Sequence, residues 1–212
     1  MKQRSIVLAS LKGGVSKTTV AANLAAYWAR IPEQVLLVDA DPNRSISRFY
    51  GRGEGTLLGE SGRCIGLEEV GSDAQYDRLV LDTAGGIAQQ QANYAADSSF
   101  VICPTLCTMA SLEMVVALAS LIKDSGSPFA ALLTQVDERR KGDEVNARNA
   151  LKLAGVPVLK SRTTFVSAWV KAEAAGVAVL DAKTDTGRPD AKAPRAWQEV
   201  KAIAQEVDSL IN

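Results

Sequence analysis

The sequence predicts an α/β protein, a doubly wound and mainly parallel β-sheet flanked by helices. Three observations lead to this class. Short continuous apolar runs, such as residues 35–38 and 79–81, have the pattern of strands buried on both faces. Segments with helical periodicity alternate with these runs along the whole chain. The first apolar run, residues 5–9, passes through Gly13 and Gly14 into Lys17-Thr18-Thr19 and a helical segment. That order of strand, glycine loop and helix is the architecture of a phosphate-binding loop. Successive backbone N–H groups wrap an anion there, and the helix N-terminus adds partial positive charge.

In chain order, residues 18–30 carry Val20, Leu24, Tyr27 and Trp28 at helical spacing among many alanines. Pro32 marks the end of that helix or the loop after it. The strand at 35–38 delivers Asp39-Ala40-Asp41-Pro42 at its C-terminal end, where open α/β sheets bind ligands. Residues 43–50 suit a short helix or turn. Residues 51–71 gain glycine and lose periodicity, so irregular structure is expected, with one short strand at 64–67. The strand at 79–81 ends in Asp82-Thr83-Ala84-Gly85-Gly86.

A short helix at 89–95 and a strand at 99–103, closed by Pro104-Thr105, come next. The helix at 109–123 places Leu112, Val115, Val116, Ala119 and Ile122 on one side. A strand at 129–134 and a helix at 144–153, ended by Gly155, follow. Residues 156–159 read as a short strand whose Pro157 suits a sheet edge. A helix at 165–175 stops at Gly176, and the apolar run 177–180 is too short to assign. Residues 181–194 are polar, contain Gly187 and Pro189, and read as an exposed loop. Residues 195–211 form an amphipathic helix carrying Trp197, Val200, Ile203, Ala204, Val207 and Leu210. No repeat and no second domain is visible, so residues 1–212 are expected to form one domain.

Composition narrows the chemistry. The 24 basic and 24 acidic residues cancel, so any nucleic-acid binding must come from a local patch. No apolar run approaches the length of a membrane span, and the N-terminal residues lack the cleavage pattern of a signal peptide. The absence of histidine removes every Ser-His and Cys-His nucleophile scheme. It also disfavours a closed zinc site at Cys103 and Cys107, which read as small apolar core residues. An odd count of three cysteines suits a reducing, cytoplasmic setting.

The loop departs from the strict pattern G-x-x-x-x-G-K-[ST], because Leu11 and Ser16 occupy its two glycine positions. Lys17 is expected to reach the β- and γ-phosphates of a nucleotide, Thr18 to place its hydroxyl on Mg²⁺, and Thr19 to add a contact near the α-phosphate. Asp39, Asp41 and Asp82 each end an apolar strand. In neighbouring parallel strands they face the same sheet edge as the loop. Strand-end aspartates also cap turns, but three in this order after a glycine-lysine loop favour metal and water chemistry.

Lys12-Gly13-Gly14-Val15-Ser16-Lys17-Thr18-Thr19, Leu36-Leu37-Val38-Asp39-Ala40-Asp41-Pro42 and Leu79-Val80-Leu81-Asp82-Thr83 resemble three motifs of the ParA/MinD family of P-loop NTPases. These are its deviant Walker A loop, its A′ motif and its Walker B strand. Cys103-Pro104-Thr105 looks like the family's proline-containing loop, and residues 165–179 look like its late helix-glycine-strand segment. A chain of this length is similar to small ParA-type members without an N-terminal helix-turn-helix domain.

The resemblance implies an ATPase that dimerises face to face around two ATP molecules held by Gly13, Gly14, Val15, Ser16, Lys17, Thr18 and Thr19. Lys12 matches the signature lysine that crosses the interface, charge supplied in trans like an arginine finger. Asp41 matches the residue associated with the attacking water. Asp39 and Asp82, with Thr18, match the Mg²⁺ environment. The implied activity is positioning of a plasmid, chromosome locus or protein cargo by an ATP-dependent dimer. That dimer would bind nonspecific DNA over the nucleoid, and an adaptor protein would stimulate hydrolysis. Candidate DNA contacts are Arg139-Arg140-Lys141, Lys160 with Arg162, Lys171, and Lys192 with Arg195.

Two departures stand out. Ala84 replaces a common proline, and Ser16 replaces a glycine, which costs about 1 kcal/mol if that position needs positive φ. Binding of ATP is expected to survive Ser16, with slow intrinsic turnover. A MinD-like membrane cycle would need a basic amphipathic C-terminal helix. This one ends Glu206-Val207-Asp208-Ser209-Leu210-Ile211-Asn212, so no stable membrane association is expected. A P-loop kinase or ligase is the remaining alternative, although no acceptor pocket is visible in the sequence.

Overall fold

The computed structural model describes residues 3–71, 75–86, 88–96 and 98–212. Its strands are β1 (Arg4–Leu8), β2 (Val35–Ala40), β3 (Gly62–Gly66), β4 (Arg78–Thr83), β5 (Phe100–Thr105), β6 (Phe129–Val136) and β7 (Val158–Thr164). They form one seven-stranded sheet in the order β3-β2-β4-β1-β5-β6-β7, with every neighbouring pair parallel. The helices are α1 (Lys17–Ala29), α2 (Ser45–Arg52), α3 (Ala88–Ala96), α4 (Met109–Ser125), α5 (Lys141–Leu153), α6 (Ser167–Ala175) and α7 (Ala193–Ile211).

Side chains alternate across each strand, so both sheet faces are apolar and the strand sequences read as continuous runs. Ile6 and Leu8 of β1 join Leu37, Val80 and Ile102 in one core with Leu24, Trp28, Val200 and Ile203. Val7 and Ala9 join Leu36, Val38 and Val101 in the other, under Leu112, Val115, Leu118 and Leu151. The chain departs from β1 toward both edges of the sheet. The crevice above the central strands β1 and β4 is therefore the place where this topology leaves room for a ligand.

Several boundaries differ from the sequence reading. β5 continues through Pro104 instead of closing before it. Ala9 N donates to the Ile102 carbonyl at 3.0 Å, so Pro104, two residues on, turns its missing N–H toward the same side, where β1 has already ended. β3 begins at Gly62, two residues before the expected strand.

β7 starts at Val158, after Pro157, and its polar middle concealed it. The carboxylate of Glu206 on α7 accepts from Lys160 N at 2.7 Å and Ser161 N at 2.8 Å. Glu199 accepts from Thr164 N at 2.8 Å. Helix carboxylates thus cover this edge of the sheet. The stretch 181–194 is folded more tightly than an exposed loop, with Ala182 and Asp190 buried and Asp190 accepting from Lys171 Nζ at 2.8 Å. The end of α2 meets the end of α6 where a Cβ on Gly53 would lie 2.0 Å from the Gly176 carbonyl oxygen, so only glycine fits.

Candidate functional site

The loop between β1 and α1 lies at the C-terminal edge of the sheet. Gly14 has φ 73° and Ser16 has φ 65°, so position 16 does demand the left-handed conformation that glycine adopts more easily. The Ser16 carbonyl accepts from Val20 N at 2.9 Å, which starts α1 one residue before the lysine. Val15 is buried and is not among the residues lining the cleft. Its carbonyl is held by the Thr134 hydroxyl at 3.1 Å.

An open cleft of about 1030 Å³ collects Gly13, Gly14, Ser16, Lys17, Thr18, Thr19 and Asp41. Lys17 is buried. Burial lowers the pKa of its ammonium, against the charges of Asp82 and Asp41, which raise it. The Thr18 hydroxyl donates to Asp82 Oδ2 at 2.7 Å. Asp82 is fully buried, and its other oxygen, Oδ1, has no hydrogen-bond partner among the described residues. Burial pushes the Asp82 pKa up to about 7, while the Thr18 hydroxyl and the Lys17 charge pull the other way.

The remaining predicted residues are placed differently. Asp39 pairs with Asp82 in register across β2 and β4, yet both its oxygens are engaged. Oδ1 accepts from Asp41 N at 3.0 Å, and Oδ2 accepts from Ser47 N at 3.0 Å and Ser47 Oγ at 2.5 Å. In this state Asp39 ties α2 to the end of β2. Asp41 is half-buried at the cleft wall, where it accepts from Asn43 N at 2.8 Å and Ser45 Oγ at 3.1 Å. Lys12 turns away from the cleft, and its Nζ donates to Ser111 Oγ at the start of α4 at 3.0 Å. The Thr19 hydroxyl donates to Glu173 Oε2 at 3.1 Å.

Sequence reasoning missed Asn43, Ser45, Gln135 and Glu173, which also line the cleft. Nothing in the pattern of β6 marks Gln135. Its φ of 52° and its hydrogen bonds to the loop appear only in three dimensions. A second pocket adjoins the cleft through Ser16, Thr19, Gln135 and Glu173, and is walled by Val20, Phe165, Val166, Trp169 and Val170. Trp169 Nε1 is buried there without a partner among the described residues.

A model of the CobQ/CobB/MinD/ParA nucleotide-binding domain matches residues 6–179. The chain belongs to this family. It is 32% identical over 214 residues to the maintenance of carboxysome distribution protein A of Gloeobacter kilaueensis, covering 97% of this chain and 94% of that one. The chromosome-partitioning ATPase Soj of Thermus thermophilus is 30% identical over 156 residues, 58% of this chain and 63% of Soj. Among solved structures, an ATP complex of a Cyanothece McdA variant aligns with a TM-score of 0.75 at 12% identity over 97% of this chain and 96% of that one. Aquifex aeolicus MinD aligns with a TM-score of 0.74 at 16% identity, over 97% of this chain. The parallel sheet flanked by helices is thus the P-loop NTPase fold of ParA- and MinD-type ATPases.

The residues present fit a magnesium nucleotide. No cluster of three or more histidine, cysteine or carboxylate groups able to hold a metal occurs among the described residues. Mg²⁺ does not require one, since it usually keeps its waters and takes one or two carboxylates plus phosphate oxygens. Asp82 Oδ1, without a partner among the described residues, and the Thr18 hydroxyl on Oδ2 offer donors of the type such a site uses.

Proposed function

We propose that this chain is a ParA-type positioning ATPase. In this reading it closes as an ATP-dependent sandwich dimer, binds nonspecific DNA and moves a cargo until an adaptor protein stimulates hydrolysis. The observation that carries the reading is the meeting, at one sheet edge, of a two-lysine loop with Asp41 and the partly unsatisfied Asp82. The near full-length similarity to a carboxysome-distribution protein supports positioning over small-molecule phosphoryl transfer.

The chain's own residues divide the work. Backbone N–H groups from Gly13 to Thr18 wrap the phosphates, and the Lys17 ammonium balances their charge. Thr18 and Asp82 would hold Mg²⁺, with Asp39, the neighbour of Asp82 across β2 and β4, in support. When bound, Mg²⁺ neutralises charge on the phosphate oxygens. Asp41, on the cleft wall, orients the attacking water. Lys12 leaves Ser111 and reaches the phosphates of the partner's nucleotide. The apolar cavity beside Gln135 takes the base.

The proposed DNA surface is narrower than the sequence candidates. Arg139 pairs with Asp137, Arg162 with Glu138 and Glu144, Arg195 with Glu138, and Lys171 with Asp190. Exposed Arg140, Lys141, Lys160 and Lys192 make no ion pair among the described residues and are the better candidates. No helix among the described residues is long and apolar enough to cross a membrane. The apolar face of α7 is spent on the sheet through Val200, Ile203, Ala204 and Val207.

DNA binding measured by fluorescence anisotropy with ADP, ATP and a nonhydrolysable analogue tests the reading. Binding is expected only with the triphosphates, and Lys17→Ala should remove it. Equal binding in every nucleotide state, or none, overturns it.

A further inference from the structure

Two non-glycine residues in left-handed backbone touch each other at the phosphate loop. Ser16 has φ 65° and Gln135 has φ 52°. The Gln135 carboxamide donates from Nε2 to Ser16 Oγ at 2.7 Å and to the Gly14 carbonyl at 3.3 Å. Residues 14 and 16 are therefore gripped by one side chain from a strand 119 residues away in sequence.

The sheet is deformed to allow this contact. The register between β6 and β7 shifts between Leu133 and Val136, the interval that contains Gln135. The Gln135 N–H leaves the ladder and is satisfied by the Thr163 hydroxyl oxygen at 3.2 Å. A bulge with positive φ re-aims a side chain that the regular pleat would direct elsewhere. Strain of this kind persists only where surrounding contacts over-determine it.

We infer that Gln135 is a positioning residue that locks the Gly14–Ser16 turn in its phosphate-binding shape, supplying by hydrogen bonding what a glycine at position 16 would supply by conformational freedom. Without the carboxamide, Ser16 relaxes toward negative φ and carries its N–H out of the cradle. Gln135 lines both the phosphate cleft and the apolar cavity. This inference rests on the reading of the loop as a nucleotide site.

The test is a cycle of Gln135→Met, Ser16→Gly and the double variant in the full-length chain, with melting temperatures confirming that each is folded. Hydrogen exchange of the loop amides is followed without nucleotide, and Mg-ATP affinity by calorimetry. In the Ser16 background Gln135→Met, which removes both bonds to the loop, is expected to speed loop exchange and weaken Mg-ATP binding by about fivefold or more. In the Ser16→Gly background both effects should fall below about twofold. Ser16→Ala, which removes the shorter of the two bonds but leaves the one to the Gly14 carbonyl, should shift both readouts in the same direction by no more than Gln135→Met does. Equal losses in both backgrounds, or no loss with Ser16 present, overturns the inference. If the wild-type chain binds no nucleotide, the functional reading fails, while the exchange arm still decides whether the lock exists.

Discussion

The two ends of β4 bury opposite charges and treat them in opposite ways. At its start, Arg78 is fully buried. It donates to both oxygens of Glu33 at 3.0 and 3.1 Å and to Asp208 Oδ1 at 2.7 Å, with its guanidinium 4.2 Å from the Trp28 ring centroid. Near the other end, Asp82 is equally buried, yet it keeps one oxygen with no partner among the described residues. A buried charge held by several partners joins elements together, here α7 and the loop before β2 to the sheet. A buried charge left incomplete destabilises the empty protein and marks where something else is to bind.

Removing each charge should therefore have opposite signs. Arg78→Met leaves half-buried Glu33 beside Arg4 and Asp208 with only the Trp28 indole N–H, and should cost about 1–3 kcal/mol, read as a lowered urea midpoint. A loss below about 1 kcal/mol would erase the contrast. Asp82→Asn should instead stabilise the nucleotide-free protein by about 1–3 kcal/mol at pH 8 while abolishing Mg²⁺-dependent ATP turnover. Destabilisation by this substitution would make Asp82 a structural residue like Arg78.

The pH dependence sharpens the comparison. Folded Asp82 holds its proton up to about 7, whereas the ordinary carboxyl releases it at 3.8. Between these values the folded state binds more protons than the unfolded one, so stability from this group falls as pH rises and is level above about pH 7. Urea midpoints at pH 5 and pH 8 should show this loss in the wild type and not in Asp82→Asn.

Lys12 is an intermediate case, a half-buried cation parked on Ser111. If the proposed ATP-dependent dimer forms, Ser111→Ala removes that resting place and should tighten it by up to about fivefold in sedimentation equilibrium. An unchanged or weaker dimer would mean that the contact does not restrain Lys12.

The sequence by itself determined the fold class, because strands buried on both faces must be apolar throughout and the helices between them must carry periodic stripes. It also determined the loop, whose glycines and lysines are local, and the strand-end aspartates, since parallel strands place their C-termini on one edge. It did not separate those aspartates. Asp39 engaged by Ser47, Asp41 half-buried on the cleft wall and Asp82 with one oxygen unpartnered among the described residues are told apart by burial and by partners from α2 and α1. Nor did it reveal the β7 edge, where Lys160-Ser161-Arg162 looks like a loop until carboxylates of α7 cover its N–H groups. Ser16 is the clearest division between the two. Chain order shows that a serine stands where glycine is easier. Only the tertiary structure supplies the positive φ and the Gln135 carboxamide holding it, because backbone strain in one segment is balanced by hydrogen bonds from another.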